Sequence, residues 1–238
     1  MSGENSFRTG GSRRLLHATY RALRRKLETK FLGSQLQEWR WKARHWYQGD
    51  EWIHSYLHSE EHPHRCQILS AVESFCPFGS ILEVGCNSGP NLLLLHRKFP
   101  EAHLIGIDIN PKAVAVGKKY LREARIDQIE LSVGRADRID FPDKSTDIVL
   151  TDAILMFVGP EKIETVLSEM GRVARKGLIL NEYHTVLPPH GNYDGGRWVY
   201  DYGSLMARLF PGADYEFSKS LFTGGLWDQY GTFMELRF

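Results

Sequence analysis

The chain has 238 residues, 42% of them hydrophobic and 25% charged, with a formal net charge of +1, a composition typical of a soluble globular protein. No apolar stretch approaches the roughly 20 residues of a transmembrane helix, and the start MSGENSFRTG lacks the apolar core of a signal peptide, so a cytoplasmic location is expected. Cys66, Cys76 and Cys86 form no CxxC pair, which argues against a disulfide framework or a structural zinc site.

The small net charge conceals an asymmetry. Residues 1–50 carry eleven Lys/Arg against four Asp/Glu, whereas residues 51–238 carry nineteen against twenty-five. A basic arm on an acidic body points to an anionic contact for the arm. Residues 1–13 are polar and Gly/Ser-rich, and disorder is expected there. Leu16, Tyr20, Leu23, Leu27 and Phe31 then make one helical stripe among seven Arg and Lys residues, with Gly33 as a stop. Trp39, Trp41, Trp46 and Trp52 follow. Residues 14–60 are thus read as a basic, Trp-rich helical extension, serving as a lid over a pocket, as a contact for substrate, or as a peripheral contact with anionic membrane.

The remainder, 61–238, alternates between two periods. Helices are predicted over 62–77, 89–99, from Asn110-Pro111 to about 124, and around Ile163–Val173; strands over 80–85, 103–108, 129–134, 146–152 and 177–183. That alternation predicts βαβ units and a parallel sheet. A helix at 201–210 follows, then strands at 215–221 and 231–238 joined by TGGLWDQY. No helix is predicted between those two, so they are expected to pair antiparallel.

The chemistry concentrates at Glu83-Val84-Gly85-Cys86-Asn87-Ser88-Gly89-Pro90-Asn91. A buried strand runs into a glycine-bearing turn, and a helix starts on its far side. Gly85 and Gly89 permit close approach to the backbone, and the helix start offers free N–H groups to a carboxylate or phosphate. Glu83, at the strand end, can accept from a ligand ammonium. Asp108 ends the next strand, where an acid can accept both hydroxyls of a ribose. Asp137, in GRADRIDF, can accept from an adenine amino group, with Ile109 and Leu155 on the adenine faces.

In these motifs the chain resembles the class I S-adenosylmethionine-dependent methyltransferases, over roughly residues 60–238. LEVGCNSGPN is similar to their first motif, LIGIDIN to the second and GRAD to the third; TDAILMFV resembles the stretch after strand four in the small-molecule branch. The resemblance implies a Rossmann-like sheet of seven strands with an antiparallel last strand and helices on both faces. It implies that Gly85, Cys86 and Gly89 approach the methionine part, that Asp108 holds the ribose and that Asp137 holds the adenine. The expected cofactor set is Glu83, Gly85, Cys86, Asn87, Gly89, Asn91, Asp108, Ile109, Ala136, Asp137, Asp152 and Leu155. Asn87 departs from the family's middle glycine, although Asn tolerates left-handed backbone. A dinucleotide fingerprint would need glycines at 85, 87 and 90, and the chain has Asn87 and Pro90.

The resemblance implies methyl transfer to oxygen or nitrogen of a small or lipid-like metabolite; the alternative is a non-catalytic module acting through its basic arm. His184, after strand five, is the expected general base, with Glu182 orienting an acceptor. No metal is expected, although Asp152 and Asn181 are spaced somewhat like the ligands of catechol-type enzymes. A nucleic-acid acceptor is disfavoured, because Thr151-Asp152-Ala153-Ile154 replaces the Asn/Asp-Pro-Pro-aromatic of nucleobase methyltransferases. Arg65, near the start of the 62–77 helix, can reach a cofactor carboxylate.

Overall fold

The computed structural model describes residues 33–44, 46, 48–59, 62–187, 192–194 and 197–238. The expectations for residues 1–13 and for the helix of 16–31 lie outside the described residues. Helix α1 covers residues 33–44. It is followed by α2 (Glu51–Leu57), α3 (Pro63–Ser74), β1 (Ser80–Val84), α4 (Pro90–Lys98), β2 (His103–Asp108), α5 (Pro111–Ala124), β3 (Ile129–Val133) and β4 (Thr146–Asp152). After a 3₁₀ turn at Leu155–Phe157 come α6 (Ile163–Val173), β5 (Ala174–Tyr183), β6 (Asn192–Asp194), β7 (Arg197–Val199), α7 (Tyr202–Leu209), β8 (Asp214–Lys219), α8 (Leu226–Tyr230) and β9 (Gly231–Arg237).

Seven strands form one sheet in the order β3-β2-β1-β4-β5-β9-β8. β1 to β5 pair in parallel, and β9 lies antiparallel between β5 and β8. The central strands are near-continuous apolar runs because both sheet faces are covered. The period of two sends Leu82, Val84 and Val149 into one core with Val166, Leu167 and Met170 of α6. It sends Ile81, Ile148 and Leu150 into the other, with Ile68 of α3, Leu92 of α4 and Val114 of α5. Asn110 caps α5 as expected, its Oδ1 accepting the N–H groups of Lys112 (2.9 Å) and Ala113 (3.2 Å) ahead of Pro111.

Two elements differ from the sequence reading. The 185–200 loop contains the β6–β7 hairpin. TGGLWDQY contains α8, whose five residues are too few for a parallel crossover, so β8 and β9 still pair antiparallel. The chain winds outward from β1 to β3 and returns to place β4 on the other side of β1. This reversal opens a crevice beyond the carboxyl ends of β1 and β4, where ligands bind in open α/β sheets.

Candidate active site

Above that crevice lies a cavity of about 730 Å³. Its floor is made by strand ends: Gly85 after β1, Asp108 and Ile109 after β2, Ala136 and Asp137 after β3, and Asp152 of β4. Its roof comes from α1 and α2 through Glu38, Trp41, Arg44 and Tyr56, and one wall from Met156, Phe157, Phe222 and Trp227.

The turn after β1 is locked to β2. Gly85 and Cys86 donate their N–H groups to the Ile107 carbonyl at 2.7 and 3.1 Å. Asn87 donates its N–H to Asp108 Oδ2 at 2.8 Å, while Asn110 donates to Oδ1 at 2.7 Å. Gly85 has a φ of 82°, and a Cβ there would come 2.3 Å from Cγ2 of Ile154, so glycine is required by both backbone and neighbour. Asn87 adopts a φ of 53°, the left-handed conformation that its short polar side chain tolerates. Burial raises the pKa of Asp108 against the lowering effect of these two N–H groups.

Beneath the turn is a buried polar cluster. Asn91 Nδ2 donates to Glu83 Oε1 at 2.7 Å and to Asp152 Oδ2 at 3.2 Å, and Asn91 Oδ1 accepts from the Arg65 guanidinium. Arg65 also donates to the carbonyl and hydroxyl of Ser59, at 2.9 and 2.7 Å. Burial lifts the Glu83 carboxyl to about 8, opposed by Asn91, and its Oε2 has no hydrogen-bond partner among the described residues. Asp152 Oδ1 accepts from the Asn181 amide at 2.8 Å, and Oδ2 lies 3.0 Å from His64 Nε2. Burial alone would raise Asp152, yet His64, Arg65 and Asn181 hold it below the ordinary carboxylate range.

A second cluster ties α1 to the body. Arg135 forks onto Asp137 (2.8 Å on each oxygen) and onto Glu38 of α1, and Lys162 reaches Glu38 at 2.5 Å and Asp137 at 2.9 Å. Burial would raise Asp137; the two cations outweigh it and bring its pKa to about 2.

The structure therefore brings Gly85, Asn87, Asp108, Ile109, Ala136, Asp137 and Asp152 to the cavity. Glu83, Cys86, Gly89 and Asn91 lie in the layer directly beneath and are not in its wall. Leu155 faces the core, fully buried, rather than the cavity. Glu182 is 0% exposed; its carboxylate accepts the N–H groups of Ile154 (2.9 Å) and Met156 (3.3 Å) and is lifted to about 8 by burial. It shapes the loop after β4 and is not among the residues that line the cavity. His184 also stands away from the cavity. Its ring stacks on Phe217 at 4.8 Å, and its Nδ1 accepts the Tyr202 N–H at 3.1 Å. Successive side chains of β5 alternate, so Tyr183 meets Trp227 while His184 turns to the opposite face. His184 is thus not among the residues that line the cavity. The cavity's own histidines, His62 and His64, stand at the start of α3, and the HPHR string held them without any local sign of what they face.

The strand reversal, glycine turn and acid-tipped β2 define a cofactor-binding α/β domain of the methyltransferase type. Residues 81–177 match the family described as "Methyltransferase domain", and this match, with the likenesses that follow, supports a class I S-adenosylmethionine-dependent methyltransferase family. It is 26% identical over 142 residues to a malonyl-[acyl-carrier protein] O-methyltransferase of Herminiimonas arsenicoxydans, covering 58% of this chain and 50% of that protein. It is 32% identical over 99 residues to a demethylmenaquinone methyltransferase of Listeria welshimeri, covering 41% of each. The chain thus spans about half the length of the curated relatives it matches, or less. A solved S-adenosylmethionine-dependent methyltransferase from Aquifex aeolicus shares the fold with a TM-score of 0.53, at 17% identity over 77% of this chain and 96% of that one.

S-adenosylmethionine is the cofactor of this family, and the residues present fit it. Glu83 beneath the turn carries a buried Oε2 without a hydrogen-bond partner among the described residues, Asp108 lines the cavity at the end of β2, and about 730 Å³ holds a nucleoside with room to spare. No group of three or more His, Cys, Asp or Glu among the described residues is arranged to hold a metal.

Proposed function

We propose that the protein transfers a methyl group to oxygen or nitrogen of a small or lipid-like acceptor. The observation that carries this reading is one cavity with two kinds of lining: Gly85, Asp108, Ile109 and Ala136 from the strand ends, and His62, Met156, Phe222 and Trp227 from the elements around them. S-adenosylmethionine, when bound, supplies a methyl group on a sulfonium that departs as the neutral thioether. Asp108 and Asp137 hold the nucleoside, the second only after sharing its carboxylate with Arg135 and Lys162, and Glu83 with Arg65 holds the amino-acid end. The aromatic wall orients the acceptor and excludes water, which is the larger part of catalysis in a displacement of this kind.

The two relatives, a malonyl-[acyl-carrier protein] O-methyltransferase and a demethylmenaquinone methyltransferase, support a metabolite acceptor. Helix α1 acts as the lid: Ser34 and Glu38 bond to the Gly159–Lys162 stretch, and the Trp41 carbonyl accepts from Asn110 at 2.7 Å. No helix among the described residues is long and apolar enough to cross a membrane. Trp39 and Trp46 are 58% and 76% exposed, which supports a peripheral lipid contact continuing from the basic segment; co-sedimentation with anionic vesicles that survives deletion of residues 14–32 would count against it.

The test of the function is labelled-methyl transfer into fractionated cell extract. Label in the metabolite or lipid fraction is expected. Label confined to protein or nucleic acid, or none at all, contradicts the reading.

A further inference from the structure

Two histidines and an aspartate form a continuous hydrogen-bonded line in the cavity wall. His62 Nδ1 lies 2.5 Å from His64 Nδ1, and His64 Nε2 lies 3.0 Å from Asp152 Oδ2. All three residues line the cavity. His64 is buried and His62 only partly so. Phe222 lies against both rings, at 4.8 and 4.5 Å, and itself stacks on Trp227 at 4.5 Å.

The partners fix the tautomers. Asp152 is an acceptor, since the Asn91 and Asn181 amides already donate to it, so His64 carries its proton on Nε2. A neutral His64 then has a lone pair on Nδ1, and His62 must donate Nδ1–H to it. That leaves His62 Nε2 as a bare lone pair.

We propose that His62 is the general base that deprotonates the methyl acceptor, that His64 and Asp152 are its positioning residues, and that the acceptor is a hydroxyl on a flat, unsaturated ring, of the phenol or hydroquinol class. This rests on the methyltransferase reading above. A carboxylate acceptor is already ionised and has no use for a base; a hydroxyl does. The acceptor O–H gives its proton to His62 Nε2, and the oxygen keeps the electron pair with which it takes the methyl group. The proton on His62 Nδ1 then shifts to His64 Nδ1, so the positive charge rests beside the Asp152 carboxylate, as in the relay logic of hydrolytic triads. The Phe222–Trp227 stack supplies the flat apolar surface that a ring would cover.

Burial lowers the pKa of His62, and so do His64 and Arg65, while Asp152 raises it; these are the titratable groups facing it among the described residues. The net effect keeps the ring neutral, as a base requires.

The experiment uses the full chain saturated with S-adenosylhomocysteine and para-nitrophenol as probe, a phenol whose neutral and ionised forms differ in colour. The bound phenol is expected to be ionised at a pH where the free phenol is neutral. His62→Gln should abolish that ionisation without changing affinity for S-adenosylhomocysteine, and His64→Gln should weaken it. Nitrogen-15 spectra of the wild-type histidine rings should show His62 protonated on Nδ1 and bare on Nε2, a readout that needs no variant to fold. With a competent phenolic acceptor, His62→Gln should slow methyl transfer about 10²–10⁴-fold. A bound phenol that stays neutral, equal ionisation in His62→Gln, the opposite ring tautomer, or no phenol binding at all overturns the proposal. Failure of wild type to bind S-adenosylhomocysteine would instead overturn the methyltransferase reading on which it rests.

Discussion

The Asp108 carboxylate accepts the main-chain N–H of Asn87 at 2.8 Å, which makes the end of β2 and the turn after β1 a single unit. Asp108 thereby shapes the loop it shares a cavity wall with, and its other oxygen is fixed by Asn110. The left-handed Asn87 backbone is what aims that N–H at the carboxylate.

Substitutions at Asn87 should therefore sort by backbone and not by side-chain chemistry. Asn87→Gly is expected to fold with stability within about 0.5 kcal/mol of wild type. Asn87→Val should lose about 1–2 kcal/mol, because a branched Cβ opposes φ of 53°. Denaturant unfolding of both variants checks this; equal losses would contradict it.

Gly85→Ala should cost more, about 2–4 kcal/mol, combining left-handed strain with the overlap on Ile154. Pairing it with Ile154→Ala should recover the overlap share and leave the strain. A double-mutant cycle showing no coupling between the two sites would contradict this.

Glu83→Gln should move stability and ligand affinity in opposite directions. The Glu83 pKa is raised by burial to about 8. A carboxyl raised in the folded state binds its proton more tightly there, so folding loses stability as pH climbs from the unfolded value towards about 8. The amide escapes that loss, and Tm at neutral to mildly alkaline pH should rise. Affinity for S-adenosylhomocysteine should fall about 10–100-fold with loss of the carboxyl acceptor. Calorimetry that finds affinity unchanged removes Glu83 from the cofactor site.

The Asp137 cluster gives the opposite pH sign. Its pKa is depressed to about 2, so its stabilisation is present above the unfolded carboxylate value and is lost as pH falls towards about 2. Glu38→Gln should detach α1 first, since Lys162 and Arg135 then keep only Asp137. Hydrogen exchange in α1 should accelerate while the central strands stay protected. Uniform exchange across both would contradict a separable lid.

His184→Ala should cost about 1 kcal/mol of stability, through the Tyr202 N–H it leaves without an acceptor, and leave affinity for S-adenosylhomocysteine unchanged. A selective loss of turnover with normal stability would return His184 to the active site.

The parallel core was legible because its strands are short, doubly buried apolar runs bounded by real caps, such as Asn110 ahead of Pro111. The glycine turn and Asp108 were legible for the same reason: their geometry is local to a strand end. What sequence periodicity does not carry is contact across the chain. His64 meets Asp152 from 88 residues away, and no period near HPHR reports which strand end α3 faces. His184 shows the converse. Its place at a strand end could be read, but the two-residue alternation that turns it away from Tyr183 towards Phe217 depends on where β8 and α7 pack. The loop that carries Asp137 does not report that Lys162 pairs with it, or that Glu38 of α1 shares both of its cations.

The most direct measurement is calorimetric titration of the full chain with S-adenosylhomocysteine, repeated on Asp108→Ala and Asp108→Asn after thermal unfolding has shown both to be folded. One site per chain is expected, with affinity reduced about 10–100-fold or lost in both variants. No binding to wild type, or binding that neither substitution at Asp108 disturbs, would contradict the cofactor site at the Gly85 turn.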